Sequence, residues 1–117
     1  MPKETLVIYY NPRCGKCRTA KSTLESNGET CTIVEYLQTP PTKKELVVLL
    51  KKLGKEPIDI IRKKEPIFKE HFAGKKLSND QWIEAIIKYP ILMERPIVVK
   101  GKKAWIARSE AVLGEIK

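Results

Sequence analysis

The stretch from Leu6 to Arg18 constrains the fold of this chain more than any other. An apolar run, Leu6-Val7-Ile8-Tyr9-Tyr10, passes directly into Asn11-Pro12-Arg13-Cys14-Gly15-Lys16-Cys17-Arg18. The β-branched and aromatic residues favour a strand, Asn11-Pro12 favours a turn, and helical periodicity begins at Gly15. A cysteine where a strand hands over to a helix sits at the positive end of the helix dipole. The cations Arg13, Lys16 and Arg18 add to a field that favours thiolate over thiol. Cys14 is therefore a candidate nucleophile. Cys17, three residues on, is either a second redox thiol or a helix-face residue packed near Ala20 and Lys21.

With 117 residues and 42% hydrophobic content, the chain is expected to form one domain over 1–117 with an ordinary core. After Lys3 the longest early apolar run is five residues, Leu6 to Tyr10, too short for a signal-peptide core or a membrane span. A soluble, cytoplasmic monomer is expected, with no membrane partner. Three cysteines are an odd number, and without an export signal they point to reactive or redox use rather than a structural disulfide framework. Cys31 has no motif around it and reads as a small core residue, and His71 has no ligand partner at metal-binding spacing, so no metal site is expected. The net charge of +9 comes mostly from lysine, 18 of 23 basic residues, in pairs such as Lys63-Lys64 and Lys75-Lys76. Without a stacking motif these pairs do not point to nucleic acid; attraction of small anions or of an acidic protein partner is the expected consequence.

Along the chain, residues 5–10 read as a buried strand, 15–27 as a helix with Cys17, Ala20 and Leu24 on one face, and Cys31–Tyr36 as a second strand. Asn27-Gly28 supplies a helix stop, and the unit is a right-handed parallel βαβ crossover. Thr42 and Glu45 form a capping box ahead of Leu46, Leu49, Leu50 and Leu53, and Gly54 closes that helix. Pro57–Arg62 and Pro66–Phe72 read as short helices opened by proline. Ser78 or Asn79 caps a further helix with Trp82, Ile83, Ile86 and Ile87 on its apolar face, ending before Pro90. The middle of the chain thus reads as wholly helical. After Arg95-Pro96, Ile97–Val99 and Ala104–Ala107 flank a turn at Gly101-Lys102-Lys103 and form a hairpin, and Ser109 caps a closing helix through Val112, Leu113 and Ile116. The order βαβ, helices, ββα is an α/β thioredoxin-like layout with a helical insertion over about 42–90.

The five arginines are informative because lysine dominates elsewhere. Arg62, Arg95 and Arg108 each close an apolar segment, where a rigid planar guanidinium suits bidentate binding of a tetrahedral oxyanion. The alternative is that each caps a helix end or pairs with a neighbouring glutamate. Pro96, opening a strand, can hold a cis peptide bond that brings backbone close to the thiol loop.

Four motifs in order, Asn11 to Arg18, Arg62 in Ile61-Arg-Lys-Lys-Glu-Pro66, Leu92 to Val99 and Arg108-Ser-Glu110, resemble the ArsC family of glutaredoxin-linked arsenate reductases and the related Spx regulators. The resemblance implies that Cys14 attacks arsenate, that Arg62, Arg95 and Arg108 hold the oxyanion, and that Lys16 and free amides of the first helix complete the cradle. It further implies no bound cofactor, with glutathione and glutaredoxin, or thioredoxin, as external reductant. Two positions depart from the pattern. Tyr10 stands where reductases of this type have a histidine near the thiolate, and Cys17 stands where they usually have serine and Spx proteins have the second cysteine of a redox switch. The rival reading is a Spx-like regulator that binds RNA polymerase through a Cys14–Cys17 disulfide switch; Arg108-Ser-Glu favours the enzyme.

Overall fold

In the computed structural model, which describes residues 5–116, the chain divides into two compact units. One comprises Met1–Thr39 with Arg95–Lys117, the other Pro40–Glu94.

The first unit is built on a four-stranded sheet in the order β2-β1-β3-β4. Its strands are β1 (Leu6–Tyr9), β2 (Cys31–Val34), β3 (Ile97–Lys100) and β4 (Lys103–Ile106). β1 runs parallel to β2, with Leu6 opposite Cys31, and antiparallel to β3, with Ile8 opposite Val98. The sheet is therefore mixed, and β1 is a central strand rather than one flanked only by parallel neighbours. The parallel half comes from the crossover through α1 (Gly15–Ser26); the antiparallel half comes from the hairpin. The hairpin turn is tighter than the sequence indicates, since Lys100 and Lys103 already pair across Gly101 and Lys102, and Gly101 supplies the positive φ of 60° that such a turn requires.

One sheet face carries the core. Leu6 and Ile8 of β1 and Val98 of β3 pack with Ala20 and Leu24 of α1 and with Leu113 and Ile116 at the closing helix α5 (Glu110–Glu115). Leu6, Ile8, Ala20, Leu24 and Val98 are fully buried, each aliphatic side chain of Leu or Ile size contributing about 1.5–3 kcal/mol. Cys31, Tyr10 and Trp105 are half-buried against the same cluster, so Cys31 does take up its expected packing position. At the sheet end that holds the start of β1 and the end of β3, Lys100 donates to Glu29 at 3.2 Å, an ion pair whose side chains are 17% and 8% exposed.

The second unit contains α2 (Lys43–Leu53), α3 (Pro66–His71) and α4 (Asn79–Lys88), with 3-10 turns at Pro57–Ile60 and Pro90–Leu92. It is not wholly helical: Ile61 and Met93 form an isolated antiparallel bridge, flanked by Arg62 N–H donating to Leu92 O at 2.7 Å and Glu94 N–H to Ile60 O at 2.8 Å. The proline-opened segment 57–62 is only half helical because its last residues leave the turn to make these bonds. On α4 the buried face is Trp82, Ile83, Ala85 and Ile86; Ile87 is half-buried.

Candidate active site

α1 begins without an oxygen cap. Its N-cap residue is Cys14, in extended conformation with φ −92° and ψ 119°, and no side-chain cap hydrogen bond is made there. The loop before it is folded by Asn11. The Cys14 N–H donates to Asn11 O at 2.9 Å, and the Arg13 N–H donates to Asn11 Oδ1 at 3.0 Å, an Asx turn. Asn11 is 6% exposed, the single buried polar side chain among the described residues. On the helix side Arg18 Nη1 donates to Pro12 O at 3.0 Å, tying the first helical turn back to the loop. The sequence motif alone gives Asn11 no role; the signal for it is the preference of asparagine for bonding its own backbone two residues on.

Burial pushes the Cys14 thiol up, but four donors outweigh it and hold the thiol below its usual value of 9.0. They are the Cys17 backbone N–H, the Arg95 guanidinium, the Cys17 thiol and the Lys16 backbone N–H. Cys17 moves the other way. It is fully buried, and that burial is the main reason its thiol is pushed up to about 12, with the negative charge of Cys14 adding to the rise and the Asn11 amide and the Arg95 charge opposing it. The two sulfurs are thus driven apart: Cys14 is the more acidic thiol, and Cys17, pushed up to about 12, is the one that holds its proton. Cys31, at the start of β2, is pushed up by burial and by Glu25 and Glu29, and it belongs to a different environment.

Arg95 and Arg108 come together at the ends of β3 and β4. The Arg95-Pro96 bond is cis, Pro96 is fully buried, and the Ala107 N–H donates to Pro96 O at 2.9 Å. Arg108 Nη1 donates to Arg95 O at 2.7 Å. The strand pairing therefore delivers Arg95 to the Cys14 sulfur and Arg108 to Arg95. The Lys16 backbone N–H lowers the Cys14 thiol pKa, while the Lys16 side chain is exposed. Tyr10 packs on the core, its N–H donating to Val34 O at 2.9 Å. Arg62 lies in the second unit, where its Nε is 3.8 Å from Glu65 Oε1, an ion pair too long for a hydrogen bond, and that Nε is buried without a hydrogen-bond partner among the described residues. The described residues hold no group of three or more His, Cys, Asp or Glu able to share a metal ion, and no helix among them is long and apolar enough to cross a membrane.

A half-buried thiol of lowered pKa at a helix start, with a buried second thiol and an arginine beside it, defines a thiol-dependent oxidoreductase on a thioredoxin-like fold. Residues 9–116 match the ArsC family profile. The chain is 41% identical over 112 residues to an arsenate reductase of Neisseria meningitidis serogroup B, covering 91% of this chain and 96% of that one. It is 37% identical over 112 residues to the arsenate reductase of Escherichia coli K12, covering 95% of this chain and 79% of that one. The solved arsenate reductase of Vibrio cholerae superposes with a TM-score of 0.87 at 35% identity, covering 98% and 97% of the two chains. The chain belongs to the ArsC family. A Spx-like regulator is not favoured by these relatives.

Proposed function

We propose that this protein reduces arsenate to arsenite, with Cys14 as the nucleophile. The observation that carries the reading is the Cys14 sulfur at the start of α1, its thiol pKa lowered by the Cys17 and Lys16 amides and the Arg95 guanidinium. These are the groups an incoming oxyanion needs as well, since amides at a helix start and a guanidinium fork both bind tetrahedral anions. Arsenate binds to Arg95 and Arg108, with Lys16 and the first amides of α1 completing the cradle. The Cys14 thiolate attacks As(V), forming a sulfur–arsenic bond and expelling one oxygen as water after protonation. Guanidinium groups neutralise the charge on the remaining oxygens.

A second thiol then supplies the rest of the two electrons. Its thiolate attacks the Cys14 sulfur, the sulfur–arsenic bond breaks with its electron pair going to arsenic, and arsenite leaves as a disulfide forms. That thiol is glutathione, with glutaredoxin clearing the mixed disulfide, or Cys17, with thioredoxin reducing the Cys14–Cys17 bond. Once Cys14 carries arsenic its negative charge is gone, which removes one of the causes that keep the Cys17 proton in place. Burial remains, so Cys17 still needs a base to give up its proton.

Purified protein supplied with arsenate should release arsenite with glutathione and glutaredoxin, or with thioredoxin. Absence of arsenite from both systems would sink the reading. A Cys17→Ser variant separates the routes: turnover lost with thioredoxin but kept with glutathione assigns the resolving role to Cys17, and normal turnover with thioredoxin alone removes it.

A further inference from the structure

The second unit contains a pocket that the arsenate chemistry does not use. It has a volume of about 500 Å³, within the range that proteins use to seat a side chain or small ligand. Its walls are Phe68, Phe72, Trp82, Ile58 and Leu77, and every charged residue in its lining is a lysine: Lys63, Lys75 and Lys76. Over residues 62–76 six basic side chains face two acidic ones, so this short segment has a strong positive excess. The three lysines are exposed, whereas Phe68, Phe72 and Leu77 are half-buried, which makes an apolar floor with a cationic rim.

The geometry of the rings narrows the occupant. Phe68 lies stacked on Trp82 at 6.1 Å and 16°, and Phe72 tilts against Trp82 at 5.9 Å. Trp82 is 5% exposed. The two phenylalanines thus cover Trp82, whose face is not open for a nucleobase to stack on. What remains is an apolar floor of half-buried Phe68, Phe72 and Leu77 on which an apolar side chain can seat. The rim is built of flexible point charges rather than arginine forks, which suits several separately placed carboxylates better than one bidentate phosphate.

We propose that this pocket is a docking site for an acidic peptide segment of a partner protein. One apolar side chain of the segment seats against Phe68, Phe72 and Leu77, and carboxylates on either side of it pair with Lys63, Lys75 and Lys76. The apolar anchor supplies the position, and the exposed ion pairs supply steering and salt dependence.

The test uses the full chain and a short acidic peptide with glutamates flanking a central phenylalanine, followed by NMR. Saturable shifts of the Gly74 and Lys75 amides and the Trp82 indole are expected, weakening with added salt. Replacing the phenylalanine by alanine should weaken binding by about tenfold, the worth of one buried aromatic anchor. Combined Lys63→Glu, Lys75→Glu and Lys76→Glu should weaken it by about tenfold or more, with arsenite formation unchanged. These lysines are exposed, and circular dichroism verifies that the variant is folded. The proposal is overturned if the alanine peptide binds as well as the phenylalanine peptide, or if the shifts fall outside the pocket. It is equally overturned if phenylacetate or a single-stranded oligonucleotide moves the same resonances at lower concentration than the peptide.

Discussion

At the start of α2 the Thr42 hydroxyl accepts the Glu45 amide at 3.1 Å, and the Glu45 carboxylate accepts the Thr42 amide at 2.9 Å. Ser78 and Gln81 repeat the arrangement at α4, at 3.2 and 2.8 Å. At the start of α1 the same position is held by Cys14, and no side-chain cap hydrogen bond is made. An oxygen cap satisfies the first amides of a helix permanently. Neutral sulfur is a poor acceptor, so the amides of Lys16 and Cys17 are fully used only when Cys14 is ionised. The helical unit uses the starts of α2 and α4 for stability, and the sheet unit uses the start of α1 for a thiol of lowered pKa. The cost is about 1 kcal/mol of capping, and the gain is a nucleophile below its ordinary pKa.

Exchanging sulfur for oxygen attacks this comparison most directly. In Cys14→Ser, arsenite formation should fall to background, while the urea midpoint should hold or rise by up to about 1 kcal/mol of stability, because serine is a true cap. A variant that still turned over would break the comparison. Arg95→Ala should come next, lowering arsenate turnover by about 100-fold, the worth of one preorganised charge donor. The sign on Cys14 follows from its causes: Arg95 lowers the thiol pKa, so its removal raises it. Iodoacetamide alkylation of Cys14 should then reach half its plateau rate at a higher pH than in the parent, nearer 9.0.

The converse experiment is in the helical unit. Thr42→Ala should cost about 1 kcal/mol in a urea melt and leave the Cys14 alkylation profile where it is. The smallest effect is expected from Cys17→Ala. Its backbone amide remains in place and only the thiol donor to Cys14 is lost, so the alkylation profile should move up by less than in Arg95→Ala. A downward shift would contradict the donor role of Cys17.

Much of this was legible before any fold was built, and the reason is distance along the chain. Thr42 with Glu45, Ser78 or Asn79 ahead of an apolar helix face, and Gly54 after Leu53 are signals complete within a few residues. Cys14 at a helix start is of the same kind. Harder to see was the break in the helical middle, because the Ile61–Met93 bridge joins segments about thirty positions apart and neither looks like a strand by itself. Asn11 was hidden for another reason. Its role depends on being buried while both its carbonyl and its side-chain oxygen accept amides, and burial of a polar residue is a property of the surroundings.

The sequence by itself determined where α1, α2 and α4 begin, that a thiol would stand at the start of α1, and that a hairpin and a capped helix would close the chain. Those outcomes rest on backbone bonds and caps between near neighbours. Only the tertiary structure decided that β3 lies antiparallel beside β1, with Tyr9 opposite Ile97, and that pairing carries Arg95 onto the Cys14 sulfur. It also decided that Cys17 is buried and its thiol pushed up while the Cys14 thiol is lowered. Two cysteines in one short motif become chemically unlike because desolvation and a distant arginine act on each differently, and both of those are consequences of packing.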